Sequence, residues 1–291
     1  MNLRKIGRLL KETFQEWQED KASRIAAALA YYTVFSISPL LVIIVAIAGA
    51  FFGEQTAQAQ ITDQLTDLVG EDGVKPILLA LNNMSQPKIR GIASLISIGV
   101  LILGASGIFA QLQDALNTVW NVKPEPGRGG ISNFIRKRIY SFLMVLVIGL
   151  LLILSLVLSA VVSTLNKYRI EFLPGSANLW ENLDFFVSLG LLTFLFCLMF
   201  KYVPDVKIAW KDVVVGSVIT ALLFLFGKFL LGVYISKGSL GSAYGAAGSL
   251  IVFLAWVYYS AQIVLLGAEF TQVYTRLYGS KVRPRKHSQI D

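Results

Sequence analysis

The stretch from Ala27 to Phe52, AALAYYTVFSISPLLVIIVAIAGAFF, is an apolar run without a charged residue, and it decides the class of fold. At a rise of about 1.5 Å per residue, about 20 apolar residues cross the hydrocarbon core of a bilayer. The run is therefore predicted to span a membrane. Its first half differs from a lipid-facing span, because tyrosines, a threonine and serines precede Pro39 there.

Composition places the chain among integral membrane proteins. Of its 291 residues, 55% are hydrophobic and only 15% are charged, which is too apolar a balance for a soluble domain of that length. Apolar runs long enough to cross a bilayer recur along the chain. They predict an all-α fold, a polytopic membrane bundle of six transmembrane helices, with spans at about 25–52, 92–114, 139–166, 182–202, 211–236 and 246–271.

The long connection between the first two spans also has helical periodicity. Apolar residues recur at Ile61 and Leu65, and again at Ile77 and Leu81, on either side of the glycine-rich segment 70–73. We expect two short amphipathic helices that meet at this segment. In the predicted fold they form an outer helical hairpin loop.

Lysine and arginine residues are distributed unevenly between the two sides of the predicted bundle. Nineteen of them fall before the first span, in the second and fourth connections and in the tail, whereas six fall in the other three connections. Cytoplasmic loops carry such an excess in membrane proteins. The bias predicts that both termini are cytoplasmic, with a basic tail at 276–291, and it explains the net charge of +8 without a nucleic acid partner.

The N-terminal segment, residues 1–24, combines apolar and basic residues at helical spacing. Ile6, Leu10, Phe14 and Trp17 fall on one side of such a helix. This pattern is typical of an amphipathic helix that lies on the cytoplasmic membrane interface. A soluble helix packed on the loops is the alternative.

Three long stretches resemble a known family. They are DKASRIAAALAYYTVFSISPLL at 20–41, WKDVVVGSVITALLFLFGKFLLGVYI at 210–235 and SAYGAAGSLIVFLAWVYYSAQIVLLGAEF at 242–270. These stretches, with GRGG at 127–130, look like the YihY/BrkB family, which was once labelled ribonuclease BN. The resemblance covers nearly the whole chain and implies a six-helix bacterial inner-membrane protein. It supplies no catalytic residues, because the family has no settled activity.

Catalytic chemistry has little support in the sequence. Hydrolysis of RNA generally requires a histidine pair, or a cluster of carboxylates and histidines that holds metal ions. The chain has a single histidine, His287, and neither an HxH nor a CxxC pattern. We therefore expect no ribonuclease activity, no other enzyme activity, no metal site and no cofactor.

Pro39 divides the first span into two halves. In a regular helix it removes one backbone hydrogen bond and collides with the carbonyl of Phe35. Nearby hydroxyl groups can satisfy the carbonyls that such a break exposes. Tyr32, Ser36 and Pro39 fall on one helix face by steps of three and four residues, and we expect them to line a polar cavity. A plain structural kink with locally bonded hydroxyls is the alternative.

The sixth span carries a second polar group, Tyr259 and Gln262, near its middle. An amide at that depth needs a hydrogen-bond partner. We expect Gln262 to form a hydrogen bond across helices, and contact with a substrate is the alternative. Tyr259 and Gln262 are thus further candidates for the lining of a substrate cavity.

Four charged residues fall within or at the ends of predicted spans, where charges are functional candidates. At about 1.5 Å per residue, Arg24, Asp114 and Glu269 lie at the same cytoplasmic depth. We expect them to form a charged ring, either as structural ion pairing or as a gate. In this ring Glu269 is predicted to lie within ion-pairing or one-water reach of Arg24 or another basic group at the cytoplasmic end. Lys228 falls in the outer third of the fifth span, where its amine either reaches the outer headgroups or acts inside the bundle.

These features favour transport over catalysis. The sequence predicts a transporter or permease-like protein for an amphipathic or anionic small molecule or lipid, multi-pass in the bacterial inner membrane. The alternative is a non-transporting membrane scaffold that binds partner proteins and anionic lipid. Membrane lipids are the expected partners, and a homo-oligomer or an envelope partner protein is left open.

Reporter fusions test the predicted orientation. A reporter enzyme that is active only in the periplasm is expected to be inactive when fused after Lys286 and active when placed within the connection 53–90. The reason is that the excess of positive charge retains the basic segments in the cytoplasm. Periplasmic activity of the fusion after Lys286 would contradict the prediction.

Overall fold

The computed structural model describes residues 3–84, 92–124, 177–237, 248–280, 282–284 and 288–290. Over these residues the chain forms α1 (Leu3–Glu19), α2 (Ala22–Phe52), α3 (Glu54–Met84), α4 (Ile92–Val119), β1 (Val122–Pro124), α5 (Ala177–Tyr202), β2 (Val206–Lys207), α6 (Trp210–Lys237), α7 (Gly248–Tyr278), β3 (Arg283–Pro284) and β4 (Ser288–Ile290). The predicted all-α class is confirmed, since each strand is only two or three residues long. The third predicted span, 139–166, lies outside the described residues.

Length and composition identify the helices that can cross a membrane. Within the described ranges, Trp210–Leu230 of α6 and Gly248–Tyr278 of α7 each suffice. The two halves of α2, Ala22–Ile37 and Pro39–Ala50, meet the same test when they are taken as one bent span. The apolar part of α5, Phe186–Tyr202, is shorter. The structure thus identifies two or three spans, and the total of six stays a prediction.

The bend in α2 is fixed by its contact with α4. The two halves of α2 meet at 50°, as expected for a proline inside a helix. A Cβ atom placed on Gly104 would lie 2.9 Å from Pro39 Cγ, and one on Gly107 would lie 3.0 Å from Ser36 Oγ. Because these two glycines carry no side chain, α4 approaches the bend closely.

Gly70 divides α3 into two helices. Its φ of 79° and ψ of 167° interrupt the helix in a conformation that glycine adopts readily and other residues rarely do. Apolar residues on both sides of the break are buried in a cluster with the second half of α2 and the first half of α7, namely Ala57, Ile61, Val69, Val74 and Ile77. Two helices meeting near Gly70 agree with the sequence pattern, whereas their role as an outer hairpin loop stays a prediction.

Two glycines and two threonines form a close contact between α6 and α7. A Cβ atom on Gly216 of α6 would overlap Thr271 of α7, and one on Gly267 of α7 would overlap Thr220 of α6. The Thr220 hydroxyl donates to the Gly216 carbonyl at 2.8 Å, and the Thr271 hydroxyl donates to the Gly267 carbonyl at 2.6 Å. Each threonine therefore has a partner within its own helix while its side chain fills the notch above the opposite glycine.

Many elements meet at one end of the bundle, which we call the basal end. It comprises α1, the first turns of α2 and α6, the last turns of α4, α5 and α7, and the strands. β1 pairs antiparallel with β4, and β2 pairs antiparallel with β3. A buried cluster that includes Leu116, Trp120, Phe200 and Val213 joins the helix ends. The N-terminal helix, the fourth predicted connection and the described parts of the second connection and of the tail thus lie together, while the side of the membrane stays a prediction.

A hydrogen-bonded clamp joins α4 to the turn after α5. Asp205 Oδ2 accepts from Asn117 Nδ2 at 3.0 Å and from Gln113 Nε2 at 3.2 Å. The backbone N–H of Asp205 donates to Asn117 Oδ1 at 2.8 Å. Because the carboxylate and both amides satisfy one another, the clamp fixes these two helices at the basal end.

Alanine substitutions test the glycine contacts. Gly216→Ala and Gly267→Ala are each expected to destabilise the protein by about 1–3 kcal/mol, because the new methyl group overlaps a threonine of the other helix. Gly190→Ala is the matched control, since no atom lies within 4 Å of a Cβ built there. The measurement is thermal unfolding in detergent, followed through labelling of the buried thiol of Cys197. Equal unfolding temperatures for all three variants would refute this account of the packing.

Candidate functional site

α1 lies along the C-terminal part of α7 with one buried face. Leu9 is 1% exposed and packs in one cluster with Phe270 and Val273 of α7. The buried Thr13 hydroxyl donates to the carbonyl of Leu9 at 2.8 Å, so it has a partner inside the helix. This face of α1 therefore belongs to the protein interior.

The neighbouring face of α1 is apolar and exposed. Ile6, Leu10 and Phe14 are exposed at successive steps of four residues, and the Phe14 ring stacks on Trp17 with 5.6 Å between centroids. An apolar stripe beside a buried face fits a helix that lies on the membrane interface. The predicted location of α1 at that interface stays a prediction.

Ion pairs connect the outer side of α1 to the end of α7. Arg276 donates to Glu16 at 2.6 Å and to Glu12 at 3.2 Å. Glu12 also accepts from Arg8 one turn earlier at 2.7 Å. The hydrogen bond from Arg8 lowers the pKa of Glu12, so Glu12 stays ionised in this network.

A tight turn between α1 and α2 directs Asp20 toward α7. Lys21 adopts φ of 55° and ψ of 42°, in the left-handed region that costs a residue with a side chain about 1–2 kcal/mol. The amide of Arg24 then donates to the Lys21 carbonyl at 2.8 Å as α2 begins. The strained backbone conformation therefore lies at Lys21, directly after Asp20.

Two carboxyl groups meet where this turn contacts α7. The carboxyl groups of Asp20 and Glu269 lie close enough to act on each other, and Glu269 is only 1% exposed. Among the described residues no donor reaches Asp20 Oδ2 or either carboxylate oxygen of Glu269. Two ionised carboxylates are acceptors only, so contact between them requires a proton. We call Asp20 and Glu269 the carboxyl pair.

The surroundings of Glu269 differ from the predicted charged ring in one partner. Glu269 forms no ion pair with Arg24 within the described ranges, and Arg24 is exposed on α2. Asp114 is exposed on α4. Arg276, another basic group at this end, acts electrostatically on Glu269. A basic group in reach of Glu269 therefore stays a prediction, with Arg276 rather than Arg24 as the candidate.

Burial raises the pKa of Asp20, and the negative charges of Glu16 and Glu19 raise it further. The interaction with Glu269 lowers the pKa of Asp20, but this effect is smaller than that of burial. Asp20 is thus a carboxyl group that retains its proton to higher pH than an exposed aspartate does.

The predicted cavity residues of the first span are divided between two environments. Ser36 is 3% exposed and Pro39 is buried, and both face the glycines of α4. Tyr32 is 43% exposed and contacts Tyr31 edge to face, with 5.9 Å between ring centroids. Tyr32 is therefore exposed and Ser36 is buried, although helical spacing places them about 40° apart on one face.

The polar residues of the sixth span also have other partners than expected. Gln262 Nε2 donates to the Tyr258 hydroxyl one turn earlier at 2.7 Å, within α7 rather than across helices. Gln262 Oε1 is buried and has no donor in the part of the chain that the structure describes. Tyr259 lies against Gly227 of α6, where a Cβ atom would overlap its phenol. The next residue, Lys228, is half-buried on α6.

The sequence did not indicate that Asp20, Glu16 and Arg276 lie near Glu269 at the basal end. Glu16 lies on α1 and Asp20 in the turn that follows it, where the apolar residues of the segment are the stronger pattern, and Arg276 belongs to the predicted basic tail. One available signal was spacing, because Glu16 and Asp20 follow Leu9 and Thr13 on one helix face. Within the described residues there is no group of three or more histidine, cysteine or acidic side chains placed to hold a metal ion.

Comparison with known proteins identifies the family. A family model described as virulence factor BrkB matches residues 13–290. The chain belongs to the BrkB family. The resemblance seen in the sequence is thereby confirmed, and together with the apolar helices it makes the chain an integral membrane protein of this family.

Similar proteins from three bacteria are named UPF0761 membrane protein. The relative from Methylibium petroleiphilum is 28% identical over 265 residues, which cover 89% of this chain and 60% of that protein. The relative from Ralstonia nicotianae is 26% identical, over 92% of this chain and 58% of that protein. The relative from Mannheimia succiniciproducens is 27% identical, over 88% of this chain and 86% of that protein.

The chain spans about 60% of the length of the first two relatives, and most of the third. No solved structure matches the chain.

Two neighbouring leucines test the docking of α1. Leu9→Ala is expected to weaken the packing of α1 on α7 by about 2–5 kcal/mol, because it removes a buried side chain from the cluster with Phe270 and Val273. Leu10→Ala is the matched control, since Leu10 is 56% exposed. Hydrogen exchange of the α1 amides should accelerate in the first variant only. Equal acceleration in both would contradict the assignment of the buried face.

Proposed function

We propose that this protein is a transporter or permease-like protein of the bacterial inner membrane that moves an amphipathic or anionic small molecule or lipid. The observation that carries the proposal is the break in α2, where an apolar helix bends by 50° at Pro39. Broken helices in membrane proteins place unpaired backbone groups inside the bundle, and many transporters use them at the binding site or as moving parts.

The position of the break supports a moving part. The first half of α2 belongs to the basal cluster through Ala22, Ala26 and Leu29. The second half packs with α3 and the start of α7 through Leu40 and Ile44. α2 thus contacts two packing units, which meet between Leu29 and Ala30, and a change of angle at Pro39 moves the second half of α2 relative to its first half.

The chemistry beside the break supports the proposed substrate class. Tyr31, Tyr32 and Phe35 expose aromatic rings with two hydroxyls on the first half of α2. Such a surface combines apolar area with hydrogen-bonding groups and suits an amphipathic molecule. The excess of positive charge at the basal segments favours anions on that side.

Flux measurements in proteoliposomes test the proposal. Vesicles would contain a fluorescent phospholipid in the membrane and an anionic dye in the lumen, so that lipid exchange and anion release are measured separately. The protein is expected to accelerate one of them above protein-free vesicles. Pro39→Ala restores a regular helix at the break and is expected to reduce that flux several-fold.

The control for this substitution is Pro76→Ala, which changes a proline inside α3. It is expected to leave the flux close to that of the unchanged protein. Tyr32→Phe removes an exposed hydroxyl and Ser36→Ala removes a buried one. The two variants thus measure the contribution of each hydroxyl to the flux separately. If no variant and no unchanged protein carries either flux, transport of this substrate class is refuted and the scaffold alternative is favoured.

A further inference from the structure

We propose that Asp20 and Glu269 form a proton-binding site, in which the two carboxyl groups share one proton and thereby hold the junction of α1 and α2 against α7. This proposal does not depend on the proposed transport function. It assigns a ligand, the proton, to a buried site at the basal end.

The geometry of the carboxyl pair supports a shared proton. Glu269 is almost fully buried, and none of the described donors reaches its two carboxylate oxygens or Asp20 Oδ2. Oxygens of this kind lose their hydration on burial and require compensation. A single proton between the two groups provides one strong hydrogen bond and reduces their combined charge from two negative units to one.

Cations near the junction are engaged elsewhere or exposed. Arg276, the positive group of α7 that acts on Glu269, is bound by Glu12 and Glu16 of α1. On α2, Arg24 is exposed, and on α6, Lys211 is exposed. These positive groups therefore do not take the place of the proton among the described residues.

The other acidic groups around the junction add to the negative charge. Glu16 acts on both members of the carboxyl pair, and Glu19 acts on Asp20. On α6, Asp212 is separately satisfied, because its Oδ2 accepts from the amide of Ser280 at 2.9 Å. On α4, Asp114 is exposed. The surrounding charges thus oppose ionisation of both members of the pair.

The position of Asp20 supplies a route for the proton. Asp20 lies in the turn between two helices and is only partly buried, whereas Glu269 is enclosed. The proton comes from water at the basal end and returns there when the pH rises. Without the proton, both carboxylates are negative in contact with each other, and the junction of α1 and α2 is repelled from α7.

The sign of the pH effect follows from Asp20. Its pKa is raised in the folded protein, so its contribution to stability is fully present below the pKa of an unfolded aspartate. That contribution is lost as the pH rises through the raised, folded-state pKa. The junction is therefore tight at acidic pH and loosens as the solution becomes alkaline.

Infrared spectroscopy of the full chain in detergent tests for the proton. The unchanged protein is expected to show the carbonyl band of a protonated carboxylic acid at neutral pH, and the band should disappear in Glu269→Gln and in Asp20→Asn. Asp63→Asn is the control, because Asp63 is exposed on α3. Absence of the band from the unchanged protein at neutral and at acidic pH would overturn the proposal.

Thermal unfolding across pH gives a second measurement on the same proteins. Between about pH 6 and about pH 9, the unfolding temperature of the unchanged protein and of Asp63→Asn is expected to fall. In Glu269→Gln the fall should be at most half as large, because the amide donates to Asp20 at every pH. A Glu269→Gln variant with the full pH dependence would overturn the proposal, even where flux experiments succeed.

Discussion

The contact of α6 with α7 at Gly216 and Gly267 sets the distance between two helices that are long and apolar enough to cross a membrane. Apolar side chains are as well solvated by lipid as by each other, so association in a bilayer depends on close packing and satisfied polar groups. The threonines meet both conditions, since each bonds to its own helix and fills the opposite notch. With this distance fixed, the end of α7 is held where α1 and the α1–α2 turn can reach it.

The basal end collects most of the polar interactions of the described chain. The clamp at Asp205 provides an acidic side chain with hydrogen bonds from two amides, and the Arg276 network pairs acidic side chains with a cation. The carboxyl pair has neither kind of partner. The neighbouring amides and Arg276 are already bound by other carboxylates. A proton is therefore the partner that we propose for the buried oxygens of the carboxyl pair.

Some of this organisation could be predicted from the sequence. Apolar runs predict helices because the bilayer sets a minimum length, and the glycines near Gly70 predict the break in α3 because the backbone there needs φ above zero. The environment of Tyr32 could not be predicted, since the boundary between buried and exposed faces depends on where α4 lies. Glu269 is visible in the sequence as a carboxyl group at the end of an apolar run, whereas its neighbour Asp20 is not, because two side chains of like charge give no pattern that indicates a contact.

The pairing of β4 with β1 and of β3 with β2 has a consequence for biosynthesis. β3 and β4 follow every described helix in the sequence. Their partners, β2 and β1, lie in connections that leave the ribosome much earlier. β1 and β2 therefore lack their native partner strands until β3 and β4 have been translated. Closure of the basal end by these two strand pairs therefore requires nearly the whole sequence, so it comes after synthesis of every described helix.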